Sequence, residues 1–81
     1  SKEAVVIAVN REGKLYLAKK QIGDEELYDF LLQKFSGGEV NRTIYLKADT
    51  ALSYGRVVQI VNGVRRSGVE RIGLMAEKER E

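Results

Sequence analysis

Residues 41–75, NRTIYLKADTALSYGRVVQIVNGVRRSGVERIGLM, leave little freedom in how this chain folds. Two runs of period-2 alternation flank one run of helical periodicity. In Thr43-Ile44-Tyr45-Leu46-Lys47 the apolar Ile44 and Leu46 alternate with Tyr45 and Lys47, and in Arg71-Ile72-Gly73-Leu74-Met75 the apolar Ile72 and Leu74 alternate with Arg71 and Gly73. Such alternation specifies strands covered on one face only. Between them, at about 100° per residue, Tyr54, Val57, Val58, Ile60, Val61 and Val64 fall in one arc. Gly55, Arg56, Gln59, Asn62, Gly63, Arg66 and Ser67 fall opposite. That is an amphipathic helix. Ser53 supplies an N-cap oxygen, Arg65 and Arg66 suit the negative end of the helix dipole, and Gly68 suits a left-handed position after the last turn. Two strands joined by a helix of this length pair in parallel through a right-handed crossover.

The upstream residues extend and cover this unit. Ala4-Val5-Val6-Ile7-Ala8-Val9 is a continuous apolar run of strand length, which belongs in the centre of a sheet. Asn10-Arg11-Glu12-Gly13 reads as a turn, and Lys14-Leu15-Tyr16-Leu17-Ala18 alternates again, giving a β-hairpin. Lys19-Lys20-Gln21-Ile22-Gly23 reads as the lead into a helix whose first turn carries Asp24, Glu25 and Glu26. On that helix Leu27, Leu31 and Phe35 recur at i, i+4 and i+8, with Tyr28 and Leu32 beside them and Phe30 on the other flank; Ser36-Gly37-Gly38 ends it. The expected fold is α+β, a two-layer arrangement in ββαβαβ order. Its mixed four-stranded sheet has the spatial order 2-1-3-4, with both helices on one face. Residues 1–76 form one domain and residues 77–81 a charged tail.

Composition removes most chemistry. The 81 residues contain no histidine and no cysteine, so the commonest general base, the commonest metal ligands, thiolate nucleophiles and disulfides are all missing. No cofactor-binding pattern is present: the Gly37-Gly38 pair lies at a helix C-terminus, where the dipole repels phosphate. Asp49 ends a strand just before a helix, where α/β proteins often place chemistry, but no second acid or nucleophile accompanies it. A carboxylate in Ala48-Asp49-Thr50-Ala51 is expected to accept local backbone amides. A net charge of +2 is too small to argue for nucleic acid or an anionic membrane. No apolar run approaches the length of about 20 residues needed to cross a bilayer. The expectation is a chain without catalytic residues.

What remains is surface. With helices on one face, the other face presents Lys14, Tyr16, Val6, Ala8, Thr43, Tyr45, Lys47, Arg71, Gly73 and Met75. Tyrosines on an open sheet serve a protein interface, or stack on bases or sugars, or simply pair across strands on a wet face. The last strand is an edge with unpaired amides and carbonyls, with Leu74 expected to stay anchored below it. Gly55, Gln59 and Gly63 mark a second surface on the polar side of the second helix, where a glycine in a helix interior suits close approach of another backbone. The candidate contact residues are therefore Tyr16, Tyr45, Lys47, Arg71, Gly73, Leu74 and Met75 on the sheet, and Gly55, Gln59 and Gly63 on the helix. A competing reading is a single-stranded nucleic-acid module with an RRM-like open sheet, stacking bases on Tyr16 and Tyr45. The ββαβαβ order and the slight charge excess weigh against it.

Several segments together resemble the ExbD/TolR family. These are Val6-Ile7-Ala8-Val9-Asn10 followed by Gly13-Lys14-Leu15-Tyr16-Leu17, then Tyr45-Leu46-Lys47-Ala48-Asp49, Tyr54-Gly55-Arg56-Val57-Val58, and Gly68-Val69 before Ile72-Gly73-Leu74. Ser53 stands where many relatives carry proline, and Ser36-Gly37-Gly38-Glu39-Val40 differs from the usual polar, proline-containing connection. The resemblance implies the periplasmic domain of an inner-membrane protein with one transmembrane helix upstream, carrying a proton-handling aspartate. It implies homodimers, an ExbB- or TolQ-like channel subunit and a TonB- or TolA-like energy transducer as partners, and, in the TolR branch, peptidoglycan binding.

Overall fold

The computed structural model describes residues 4–37 and 41–78. Seven elements follow one another: β1 (Val5–Val9), β2 (Leu15–Leu17), β3 (Lys20–Ile22), α1 (Asp24–Lys34), β4 (Thr43–Asp49), α2 (Tyr54–Arg66) and β5 (Arg71–Glu77). They build an α+β fold with one mixed sheet in the order β3-β2-β1-β4-β5. β1, β4 and β5 run parallel, and β2 is antiparallel to β1. The four expected strands thus keep their expected neighbours, with β1 central.

The fifth strand is a correction. Lys20-Gln21-Ile22, expected to be a connection, pairs antiparallel with β2 in the register Leu15↔Ile22, Tyr16↔Gln21 and Leu17↔Lys20. A two-residue turn joins them, with φ of +52° at Ala18 and +69° at Lys19. Two consecutive left-handed residues define the tight hairpin turn whose twist suits flanking strands, and Asn-Gly is its usual signature. Ala-Lys carries none of that signal, and so the hairpin is silent in the sequence. The expected boundaries of the other strands hold to within two residues. β5 continues past Met75 to Glu77, the first residue of the expected tail. Glu79, Arg80 and Glu81 of that tail, and Gly38, Glu39 and Val40 of the loop after α1, lie outside the described residues.

Both helices pack on the same side of the sheet. Ile7, Val9, Leu15, Ile44 and Leu46 meet Leu27, Leu31 and Phe35 of α1 and Ile60 and Val64 of α2 in one core, completed by Val69. The boundary chemistry is as expected: Ser53 Oγ accepts from the Arg56 amide at 3.2 Å, and Gly68 takes a φ of +98°. The Asn10 side chain closes the first turn by accepting from the amides of Glu12 (3.1 Å) and Lys14 (2.9 Å), with Gly13 at φ +87°.

The face of α2 differs from its apolar arc. Ile60, Gly63 and Val64 are the helix's buried residues and Ser67 follows them inward, whereas Tyr54 is 81% exposed. Tyr54 is the first helical residue and has no core beside it. Gly63 has no side chain with which to declare its face; it lies under the ring of Tyr28, so close that a Cβ there would sit 2.1 Å from Tyr28 Cζ. Ser67 is buried at no polar cost because its hydroxyl donates to the Gly63 carbonyl at 2.9 Å. Burial against α2 also raises the Tyr28 phenol above its ordinary pKa.

Two outcomes test these packing claims. Lys19→Gly removes a left-handed backbone cost of about 1–2 kcal/mol and should raise the urea midpoint without changing the slope. Gly63→Ala should destabilise the chain by about 1–3 kcal/mol by driving the Tyr28 ring outward. In a Tyr28→Ala background the same change should instead be neutral or stabilising, by up to about 1 kcal/mol. A stabilising Gly63→Ala in the native background would contradict the ring-over-glycine contact.

Candidate interaction surface

The side of the sheet away from the helices is open. Pairing places Gln21, Tyr16, Ala8, Lys47 and Met75 in one row across all five strands, and Val6, Tyr45 and Gly73 in the next. Val6 is 40% exposed, Tyr45 38% and Met75 43%, in contrast to the sealed Ile7, Ile44 and Leu46 between them. Tyr45 lies against Gly73, where an added Cβ would meet Tyr45 Cδ1 at 2.5 Å. Tyr16 is half-buried and its hydroxyl receives the Asn10 side-chain amide at 3.5 Å. Lys47 pairs with Glu77 at 3.5 Å.

β5 is the long free edge of this surface. The Arg71 amide donates to Arg42 O at 3.1 Å and the Thr50 amide donates to Glu77 O at 3.3 Å, so the odd-numbered backbone groups of β5 face β4. By strand alternation the N–H and C=O groups of Ile72, Leu74 and Ala76 point away from the sheet. Leu74 itself departs from expectation. It shares the helix side with its partner Leu46, but it is 59% exposed because the helices do not reach over the edge strand there.

The ten candidate residues therefore separate. Tyr16, Tyr45, Lys47, Arg71, Gly73, Leu74 and Met75 share the open face and the β5 edge. Gly55, Gln59 and Gly63 lie on α2, on the other side of the sheet. Of these, Gly55 is exposed with open space around it, Gln59 accepts from Arg56 Nη1 at 2.7 Å, and Gly63 is closed off by Tyr28. At Gly63 an aromatic ring of the same chain, that of Tyr28, fills the place beside the glycine.

Arg56 emerges as the polar hub of the helix layer. Its Nε and Nη2 donate to Gly13 O at 3.0 and 2.8 Å, and Nη1 and Nη2 donate to the two Asp24 carboxylate oxygens at 2.7 and 2.8 Å. The bidentate pair holds the Asp24 carboxyl below its usual range. Asp49 shows the expected turn bond, Oδ1 accepting from the Ala51 amide at 2.8 Å, but its Oδ2 is buried without a hydrogen-bond partner among the described residues. Alternation along β4 puts this carboxylate on the open-face side. Among the described residues no group of three or more His, Cys, Asp or Glu side chains is placed to hold a metal, and no helix is long and apolar enough to cross a membrane.

An open-faced two-layer domain with an exposed parallel edge is an architecture to which an extended strand can be added. The chain belongs to the ExbD/TolR family: the family model described as biopolymer transport protein ExbD/TolR matches residues 1–79. It is 30% identical over 79 residues to the biopolymer transport protein ExbD of Aquifex aeolicus, covering 95% of this chain and 55% of that protein. It is 27% identical over 71 residues to ExbD of Pseudomonas putida, covering 88% and 50% of the two, and 25% identical over 77 residues to ExbD of Pseudomonas aeruginosa, covering 95% and 57%. The chain thus spans about half the length of the curated relatives it matches. The nucleic-acid reading finds no support in these likenesses.

The hub carries a pH signature. Asp24 has a folded pKa below its ordinary 3.8, so its contribution is complete above that value and is lost as pH falls through the folded pKa. Asp24→Asn should destabilise the chain at neutral pH and flatten the stability decline at acid pH. Arg56→Ala should cost about 1.5–3 kcal/mol at neutral pH, read by urea unfolding; a pH profile unchanged by Asp24→Asn would contradict the pairing.

Proposed function

We propose that this chain is the non-catalytic periplasmic domain of an ExbD-like inner-membrane protein, acting as a self-associating docking module. In the full-length protein it would work beside an ExbB-like channel subunit and relay proton-motive-force energy to a TonB-like transducer. The curated relatives carry the ExbD name, which supports the TonB side over the TolA side and leaves peptidoglycan binding, a TolR trait, without a supporting observation. The single observation that carries the docking role is the β5 edge, seven residues long and unpaired among the described residues, with Leu74 exposed at its middle.

The edge is complementary to itself. A second copy added antiparallel about Leu74 uses the outward groups of Ile72, Leu74 and Ala76, so Ile72 faces Ala76 of the second copy. Arg71 then lies opposite Glu77 of the second copy, and the symmetry makes that charge pair twice. Leu74 meets Leu74 of the second copy on the helix side, removing the most exposed apolar side chain of the strand from water. The open faces of two copies would then form one continuous platform for an extended partner segment.

Charge exchange tests this pairing. Arg71→Glu or Glu77→Arg alone should weaken self-association by about tenfold in sedimentation equilibrium, and the double variant should recover it. In the full-length protein the single variants should impair TonB-dependent uptake and the double should restore it. A double variant that stays as weak as the singles would rule this register out.

A further inference from the structure

We propose that the depression on the open face at the C-terminal ends of β1, β4 and β5 is a binding site for an arginine side chain of a partner protein. Ala8, Asn10, Tyr16, Lys47, Asp49 and Glu77 line it, with Lys78 on its rim. The observation that drives the assignment is Asp49. The residue is 8% exposed, Oδ1 is committed to the Ala51 amide, and Oδ2 is buried with no donor. A buried carboxylate oxygen without a donor is costly, and native structures rarely leave one so unless something else supplies the donor.

The surrounding groups select the class of donor. Lys47 is the nearest cation along the strand, but its ammonium pairs with Glu77 at 3.5 Å, and Lys78 has no ion pair among the described residues. No described donor therefore bonds Asp49 Oδ2, and the N–H of a cation is a stronger donor to a carboxylate oxygen than that of a neutral amide. Tyr16 forms the opposite wall, held in place by the Asn10 amide at its hydroxyl. Ala8 lies between Tyr16 and Lys47 in the cross-strand row and leaves a trough beside the ring. A flat cation fits that trough best: a guanidinium stacks on an aromatic face while its fork of N–H groups reaches a carboxylate, which a compact ammonium does less well. The side chains of Lys47 and Glu77 are 39% and 63% exposed, so rotamer changes at the rim suffice to open the path to Oδ2. The site needs one copy of the chain only, and it shares Glu77 with the proposed β5 pairing.

The test uses the 81-residue chain, labelled with ¹⁵N. It is titrated with N-acetyl-arginine amide and, separately, with N-acetyl-citrulline amide, the neutral isostere. The arginine derivative should give saturable shifts at the amides of Ala8, Asp49 and Ala51 with about millimolar affinity. The citrulline derivative should bind at least about tenfold more weakly. Asp49→Asn, which keeps the Oδ1 acceptor for Ala51, should abolish the arginine preference, and Tyr16→Leu should weaken binding several-fold, with thermal unfolding reporting that each variant is folded. Shifts that never saturate, citrulline binding equal to arginine, or unchanged arginine binding in either variant would overturn the assignment.

Discussion

One guanidinium ties together three segments that are far apart in the chain. Arg56 sits in the first turns of α2, takes hold of the β1–β2 turn through the Gly13 carbonyl, and grips the start of α1 through both oxygens of Asp24. Gly13 meets two demands at once: its φ of +87° closes the turn, and an added Cβ would press on Arg56 Cγ at 3.2 Å. With the N-termini of both helices pinned to one end of the sheet, the apolar stripe of each falls over the same row of strand residues. Leucine and isoleucine burial supplies the driving force there; the charged clasp supplies the orientation. This is a partly buried, bidentate arrangement with several hydrogen bonds, the kind of ion pair that contributes more than an exposed one.

From that one-sided packing the rest follows. A sheet with helices on one side has a second face, which here none of the described residues covers and which holds Tyr16, Tyr45, Val6 and Met75. Glycine marks two places where aromatic rings lie directly on backbone: Tyr28 on Gly63 between the helices, and Tyr45 on Gly73 across the open face. The first seals the helix layer, and the second smooths the route to the β5 edge. The edge and the open face are adjacent, so a partner strand on β5 and a side chain reaching the Asp49 depression are geometrically compatible.

Much of this was legible in the residues because alternation and helical period are direct records of which side chain faces a core. The parallel β1-β4-β5 unit, the Asn10 to Gly13 turn, the Ser53 cap and the exposed tyrosine face all read directly. What could not be read had a physical reason in each case. The Ala18-Lys19 turn adopts left-handed backbone without the residues that advertise it, so β3 is hidden. Gly63 is buried but, lacking a side chain, is invisible to a pattern of polarity, and it misassigned one flank of α2. Leu74 has the right parity for the core, yet parity says nothing about how far a helix reaches over an edge. Arg56 looks like any solvated helix residue until Gly13 and Asp24 are brought beside it, and the partnerless oxygen of Asp49 is a fact of three-dimensional accounting alone.

The central claim is that both helices lie on one side and leave the other side bare. Solvent paramagnetic relaxation with a soluble gadolinium chelate measures this most directly, residue by residue. In a dilute, monomeric sample the side-chain protons of Val6, Tyr45 and Met75 should relax strongly, while those of Ile7, Ile44 and Leu46, the immediate neighbours of Val6 and Tyr45 along β1 and β4, should be protected. Equal protection of both sets would mean that something covers the second face, and would contradict one-sided packing.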